Sequence, residues 1–131
     1  MTRVTGIGGI FFKARDPEAL CAWYRRHLGL DIQPWGGLTF RWHDPEHPEP
    51  DGATAWSIFP ASTGYFGPGT ATFMINYRVP DLAGLLELLR SEGCAVDERT
   101  EATEYGKFGW VTDPEGNKIE LWEPPPARVP A

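Results

Sequence analysis

The sequence predicts an α+β protein made of two tandem βαβββ modules, and three observations carry that prediction. Two stretches, "DPEALCAWYRRHLGL" from Asp16 and "PDLAGLLELLRSEG" around Asp81, read as capped amphipathic helices, each preceded by a strand-forming run. Each helix is followed by short β-branched and aromatic runs separated by turn residues. Setting Asp16 against Asp81 gives an offset of 65 residues, on which Leu20 meets Leu85, Trp23 meets Leu88 and Arg25 meets Arg90. The chain therefore reads as an internal duplication, with module one at 4–60, a linker at 61–70, module two at 71–124 and a Pro-rich tail at 125–131.

In order along the chain, "VTGIGGIFFKA" alternates as a strand does. Asp16 then stands as N-cap, Pro17 as the first helical residue and Gly29 as the terminator. Three strands are predicted next, around "DIQPWG", "LTFRWH" and "TAWSIFPA". The linker "ASTGYFGPGTA" is rich in Gly, Ser, Thr and Pro. Beyond it come the strand "ATFMINYRV", a helix ended by Gly93, and the strands "CAVDERT", "FGWVTD" and "NKIELWE". The last two are joined by Asp113-Pro114-Glu115-Gly116-Asn117, where Pro114 suits a type I turn and Gly116 a left-handed position, so a hairpin is predicted.

The chain has 131 residues, 41% of them hydrophobic, enough for one domain with a real core. Its formal charge of -6 and dispersed Lys and Arg argue against nucleic acid or an anionic membrane as partner and favour a small molecule. No stretch resembles a signal peptide or a membrane span, so a cytoplasmic location is expected. Cys21 and Cys94 form no metal-binding spacing and read as two buried free thiols.

With two βαβββ halves, "ARDPEALCAWYRRHLGL" after the first strand and "DPEGNKIELWEP" at the end, residues 4–124 resemble the vicinal oxygen chelate superfamily, which groups glyoxalase I, bleomycin-resistance proteins and extradiol dioxygenases. The resemblance implies two modules whose curved sheets face each other around a cavity, often completed by a homodimer. It also implies metal ligands on the first and last strands of each module. Those positions fall on Gly9, on Met74, near Trp56 or Ser57, and on Glu120. Glycine carries no donor and a thioether suits soft ions, so only Glu120 matches. One carboxylate is too few for the three or four ligands of a zinc site, and ligand counting favours a chain without a metal, a divalent ion being the alternative. His43, Asp44, Glu46 and His47 cluster in "HDPEHPEP", but Pro45 and Pro48 oppose the helix that would align the two imidazoles, and the segment reads as an acidic loop.

Alternation places Ile10, Phe12 and Ala14, like Ile75, Tyr77 and Val79, on their helices. Phe11, Lys13, Met74, Asn76 and Arg78 then point into the implied cavity, with Trp56, Trp110, Glu120 and Trp122 nearby. This is the constitution of a small-molecule site, aromatic walls with a few polar anchors. Against it stand plainer readings: Trp110 and Trp122 as core filling, Lys13 and Arg78 reaching to solvent, Met74 as a gap-filler, and Glu120 in a buried ion pair with Lys13 or Arg78. The function expected from this is binding of an aromatic or amphipathic molecule. The alternative is a glyoxalase-like lyase or extradiol-type dioxygenase with Glu120 as metal ligand or general base.

Overall fold

A computed structural model describes residues 3–41 and 52–126 of the chain, and both helices start where an aspartate caps them. Asp16 accepts a hydrogen bond from the Ala19 amide and Asp81 one from the Gly84 amide, each at 3.1 Å. Each bond satisfies an amide that the first helical turn leaves without an intrahelical partner. Helix α1 spans Pro17–Leu28 and ends at Gly29 in the left-handed conformation; α2 spans Leu82–Ser91. The strands are β1 (Gly6–Ala14), β2 (Gly37–Arg41), β3 (Ala53–Pro60), β4 (Phe73–Arg78), β5 (Ala95–Thr103), β6 (Gly106–Thr112) and β7 (Lys118–Glu123). No helix among the described residues is long and apolar enough to cross a membrane.

The chain divides into two compact units, one of residues 9–75 and one joining the segment that ends at Gly8 to the segment that begins at Asn76. In the unit of residues 9–75, β3 is central: it pairs in parallel with β1, Phe11 opposite Ser57, and antiparallel with β2, Leu38 opposite Trp56. Ala14, Cys21, Ile32 and Ile58 form its buried core, with Phe12, Leu20, Tyr24 and Trp56 packed against them. In the other unit β7 is central, parallel to β4 and antiparallel to β6, which in turn pairs with β5. Its core is Val79, Leu82, Leu85, Leu86 and Leu121.

The duplication extends to individual hydrogen bonds. The Arg25 guanidinium donates to the Ile32 carbonyl at 2.8 and 3.1 Å, and the Arg90 guanidinium donates to the Asp97 carbonyl at 3.1 Å, each bond reaching seven residues along the chain. Both arginines therefore tie the last turn of a helix to the chain that follows it. The hairpin between β6 and β7 is also as predicted: Gly116 takes φ 86°, its amide donates to the Asp113 carbonyl at 3.0 Å, and the Asp113 amide donates to the Asn117 carbonyl at 2.9 Å.

Two local expectations are corrected. The segment around "DIQPWG" is not a strand, so the described part of the first module has one strand fewer than the second. Pro34 has no N–H to give a ladder, and the chain turns instead, the Gly36 amide donating to Gln33 at 2.9 Å with Gly36 at φ 96°. Cys21 is buried as expected, but Cys94 is exposed, at the exit of α2 where its amide bonds the Leu89 carbonyl. The cluster His43, Asp44, Glu46 and His47 lies outside the described residues.

Candidate functional site

Glu120 sits mid-strand on β7, with Asn76 of β4 opposite it on one side and Trp110 of β6 opposite it on the other. Because strand side chains alternate, all three project from the face that α2 does not cover, while Ile119, Leu121 and Tyr77 pack on the helix. The row is buried: Asn76 is 3% exposed, Trp110 3% and Glu120 2%.

Two neutral donors hold the Glu120 carboxylate. Asn76 Nδ2 donates to Oε1 at 2.7 Å and Trp110 Nε1 donates to Oε2 at 2.9 Å. These two hydrogen bonds offset part of the cost of burying the polar group. The Trp110 ring has a cation on it from two strands, Lys118 Nζ at 5.3 Å and Arg99 Cζ at 5.9 Å from its centroid. Arg99 is itself paired with Glu101.

Asn76 shows why Gly8 is a glycine. A Cβ built on Gly8 would lie 2.3 Å from Asn76 Oδ1 and 2.8 Å from a Trp122 ring carbon. With Nδ2 committed to Glu120, Oδ1 is buried without a hydrogen-bond partner. A buried acceptor left in this state marks a place where a donor is wanted. Trp122 leaves the row by its own bond, Nε1 donating to the Tyr105 carbonyl at 2.7 Å.

The other residues singled out in the sequence divide. Met74 is buried, 1% exposed, on the same face of β4 as Asn76. Arg78 lies opposite Trp122 in register, and its carbonyl accepts from the Thr5 amide at 2.9 Å. Phe11 and Lys13 project from the face of β1 that α1 leaves open; the Lys13 ammonium rests 5.4 Å from the Phe66 ring centroid. Trp56 does not join them. Its ring lies 5.2 Å from Phe12 and 5.0 Å from Tyr24, inside the α1 core, because Trp56 shares its strand face with Ile58. Ser57, not Trp56, is the counterpart of Glu120, since Phe11 opposes Ser57 on the parallel pair of the first module as Asn76 opposes Glu120 on that of the second.

Sequence reading missed Phe59, Tyr65 and Phe66. Phe59 stacks on Tyr65 at 5.7 Å and 16° and meets Phe66 at 5.3 Å, while Phe11 packs on it at 5.6 Å. The signal was present as an aromatic pair inside a Gly-rich segment read only as a linker.

The divalent ion that the superfamily implies does not fit the donors among the described residues. Both oxygens of the one carboxylate carry N–H donors, and the free amide oxygen of Asn76 faces the Gly8 backbone. Ser57 stands where the first module would supply a further ligand, and among the described residues no three His, Cys, Asp or Glu cluster.

A sequence profile described as a Glyoxalase-like domain matches residues 9–122. The chain belongs to this Glyoxalase-like family, within the vicinal oxygen chelate superfamily. Among solved structures it is similar to methylmalonyl-CoA epimerase from Mycobacterium tuberculosis, with TM-score 0.64, 20% identity, and 96% of this chain and 92% of that one covered. A methylmalonyl-CoA epimerase in complex with methylmalonyl-CoA and NH4+ is similar at TM-score 0.70 and 15% identity, covering 97% and 99%. So is an NAD-dependent benzaldehyde dehydrogenase from Legionella pneumophila, at TM-score 0.57 and 9% identity, covering 89% and 98%. Likenesses this distant establish the fold, and the different activities named on it show that function has to be argued from the site. No curated protein matches the sequence.

Proposed function

We propose that this Glyoxalase-like chain binds a small aromatic or amphipathic organic molecule on the strand face that α2 leaves open, with Glu120 as the polar anchor. The observation that carries the reading is the clamp on Glu120. The two N–H donors fix a buried acidic side chain in place on the strand face, and Asn76 Oδ1 beside it lacks a hydrogen-bond partner and is the acceptor a ligand donor would meet. Aromatic side chains with a few convergent polar groups are the usual make-up of such sites. Solved structures of the same fold have been described with methylmalonyl-CoA and with 2-nitronate-propionyl-CoA, which supports a small-molecule role for the fold.

Titration of a panel of aromatic and amphipathic compounds against tryptophan emission tests this, since Trp110 touches Glu120 and Trp122 lies two residues along the same strand face. A saturable change in emission is expected, with affinity falling about tenfold or more in Glu120→Gln, the loss of one good polar contact. Asn76→Ala, which removes the orphan acceptor, serves as a second variant. Saturable binding that is indifferent to both substitutions contradicts the reading. The homodimer that the superfamily resemblance implies is checked by light scattering, which should give twice 14.6 kDa.

A further inference from the structure

We infer that residues 9–75 carry a subsite for an aromatic carboxylate, built from Phe11, Phe59, Tyr65, Phe66 and Lys13. This deepens the small-molecule reading above and rests on it, but it concerns different residues. Phe11 and Lys13 share the open face of β1, and Lys13 stands directly across the parallel pair from Phe59. The chain after β3 then turns back, so that Tyr65 stacks on Phe59 and Phe66 closes the group as its buried anchor, 2% exposed. The turn is organised to do this. The Tyr65 amide donates to Thr63 Oγ1 at 3.2 Å and the Gly67 amide to the Gly64 carbonyl at 3.2 Å, with Gly67 at φ 87°.

Lys13 gives the group its selectivity. Lys13 is partly buried, with its ammonium above the Phe66 ring, and none of the salt bridges among the described residues includes it. An aromatic face is a modest partner for a cation, worth about 0.5–1 kcal/mol where water still reaches it. A carboxylate brought there by a ring seated against Phe11 and Phe59 pairs with the ammonium in a partly desolvated place, where a charge pair is worth more than on open surface. The acidic chain, at -6, repels anions at long range. That field is screened within ~8 Å at physiological salt, so the local ammonium decides the sign of the preference.

The test uses three probes of one shape, 2-naphthoate, 2-naphthalenemethanol and 2-naphthylmethylammonium, with binding followed by broadening of the probe proton resonances. Naphthoate should bind saturably and about tenfold or more tighter than the alcohol, with the ammonium weakest. Lys13→Met should bring naphthoate down to the level of the alcohol, with the urea midpoint lowered by no more than the loss of one cation–π contact. Tyr65→Ala should weaken all three. Equal affinity for naphthoate and the alcohol, a preference that survives Lys13→Met, or no naphthoate binding overturns the inference. Each of these leaves the Glu120-dependent emission change as a separate readout of the broader reading.

Discussion

Replacing Glu120 by glutamine keeps the size of the side chain and turns one of its two accepting oxygens into an N–H₂. That group then faces a donor, Trp110 Nε1 or Asn76 Nδ2, unless the Asn76 amide turns over and leaves its own N–H₂ unpaired towards Gly8. Setting donor against donor in a site this buried is expected to cost about 1–3 kcal/mol in urea unfolding. Trp110→Phe, which keeps most of the ring and deletes the N–H, should cost a similar amount. The double variant should lose less than the sum, because the glutamine N–H₂ can then take the place the indole N–H has vacated. Gly8→Ala tests the same row from its other end. The new methyl meets Asn76 Oδ1 and Trp122 far inside contact distance, and a loss of about 1–3 kcal/mol is expected, together with weaker Glu120-dependent ligand binding, as the amide is forced out of its hydrogen-bonded position. If Gly8→Ala is as stable as the parent, Asn76 is not held as described.

At the scale of elements, the β6–β7 hairpin depends on Asp113. Its carboxylate accepts from Asn117 Nδ2 and from the Asn117 and Glu115 amides, each at 2.9 Å. These bonds, the Asn117 side chain foremost, hold the carboxyl below its usual aspartate value of 3.8. A group depressed on folding stabilises the folded chain above its unfolded pKa and loses that contribution as pH falls through the lower folded one. Thermal stability should therefore fall on acidification below about pH 4, and Asp113→Asn should flatten that fall. This hairpin was legible in the sequence because proline, glycine and aspartate each act within five residues. The segment at "DIQPWG" was not: its strand-like residues were outvoted by the missing amide of Pro34 and by the turn at Gly36. Trp56 was misplaced for another reason. Which face a strand residue takes is set by pairing register and by which residues the helix covers, and a one-residue slip reverses it.

For the whole molecule, the tandem architecture was readable because caps, periodicity and repeat offset agreed, and the paired bonds of Arg25 and Arg90 show the duplication persisting in detail. Arg25→Met and Arg90→Met should each destabilise the chain by about 0.5–1.5 kcal/mol, additively, since each ties a different unit. Much of the candidate site was not readable. Glu120 stood out as an acidic residue between apolar neighbours, and Asn76, Trp110 and Trp122 were named with it. That two neutral donors hold the carboxylate depends on strands meeting across 44 and 10 residues of sequence. The group around Phe59 likewise forms only when the Gly-rich segment folds back on β3.

Under the proposed function, the glutamate at the position of a superfamily metal ligand serves an organic ligand instead of a divalent ion. Elemental analysis of the purified chain after dialysis against zinc, nickel, manganese and iron, with Glu120→Ala alongside, tests it most directly. The expected result is no stoichiometric ion that depends on Glu120. About one ion retained per chain and lost in Glu120→Ala would contradict it, and would point to a metal-dependent lyase or dioxygenase instead.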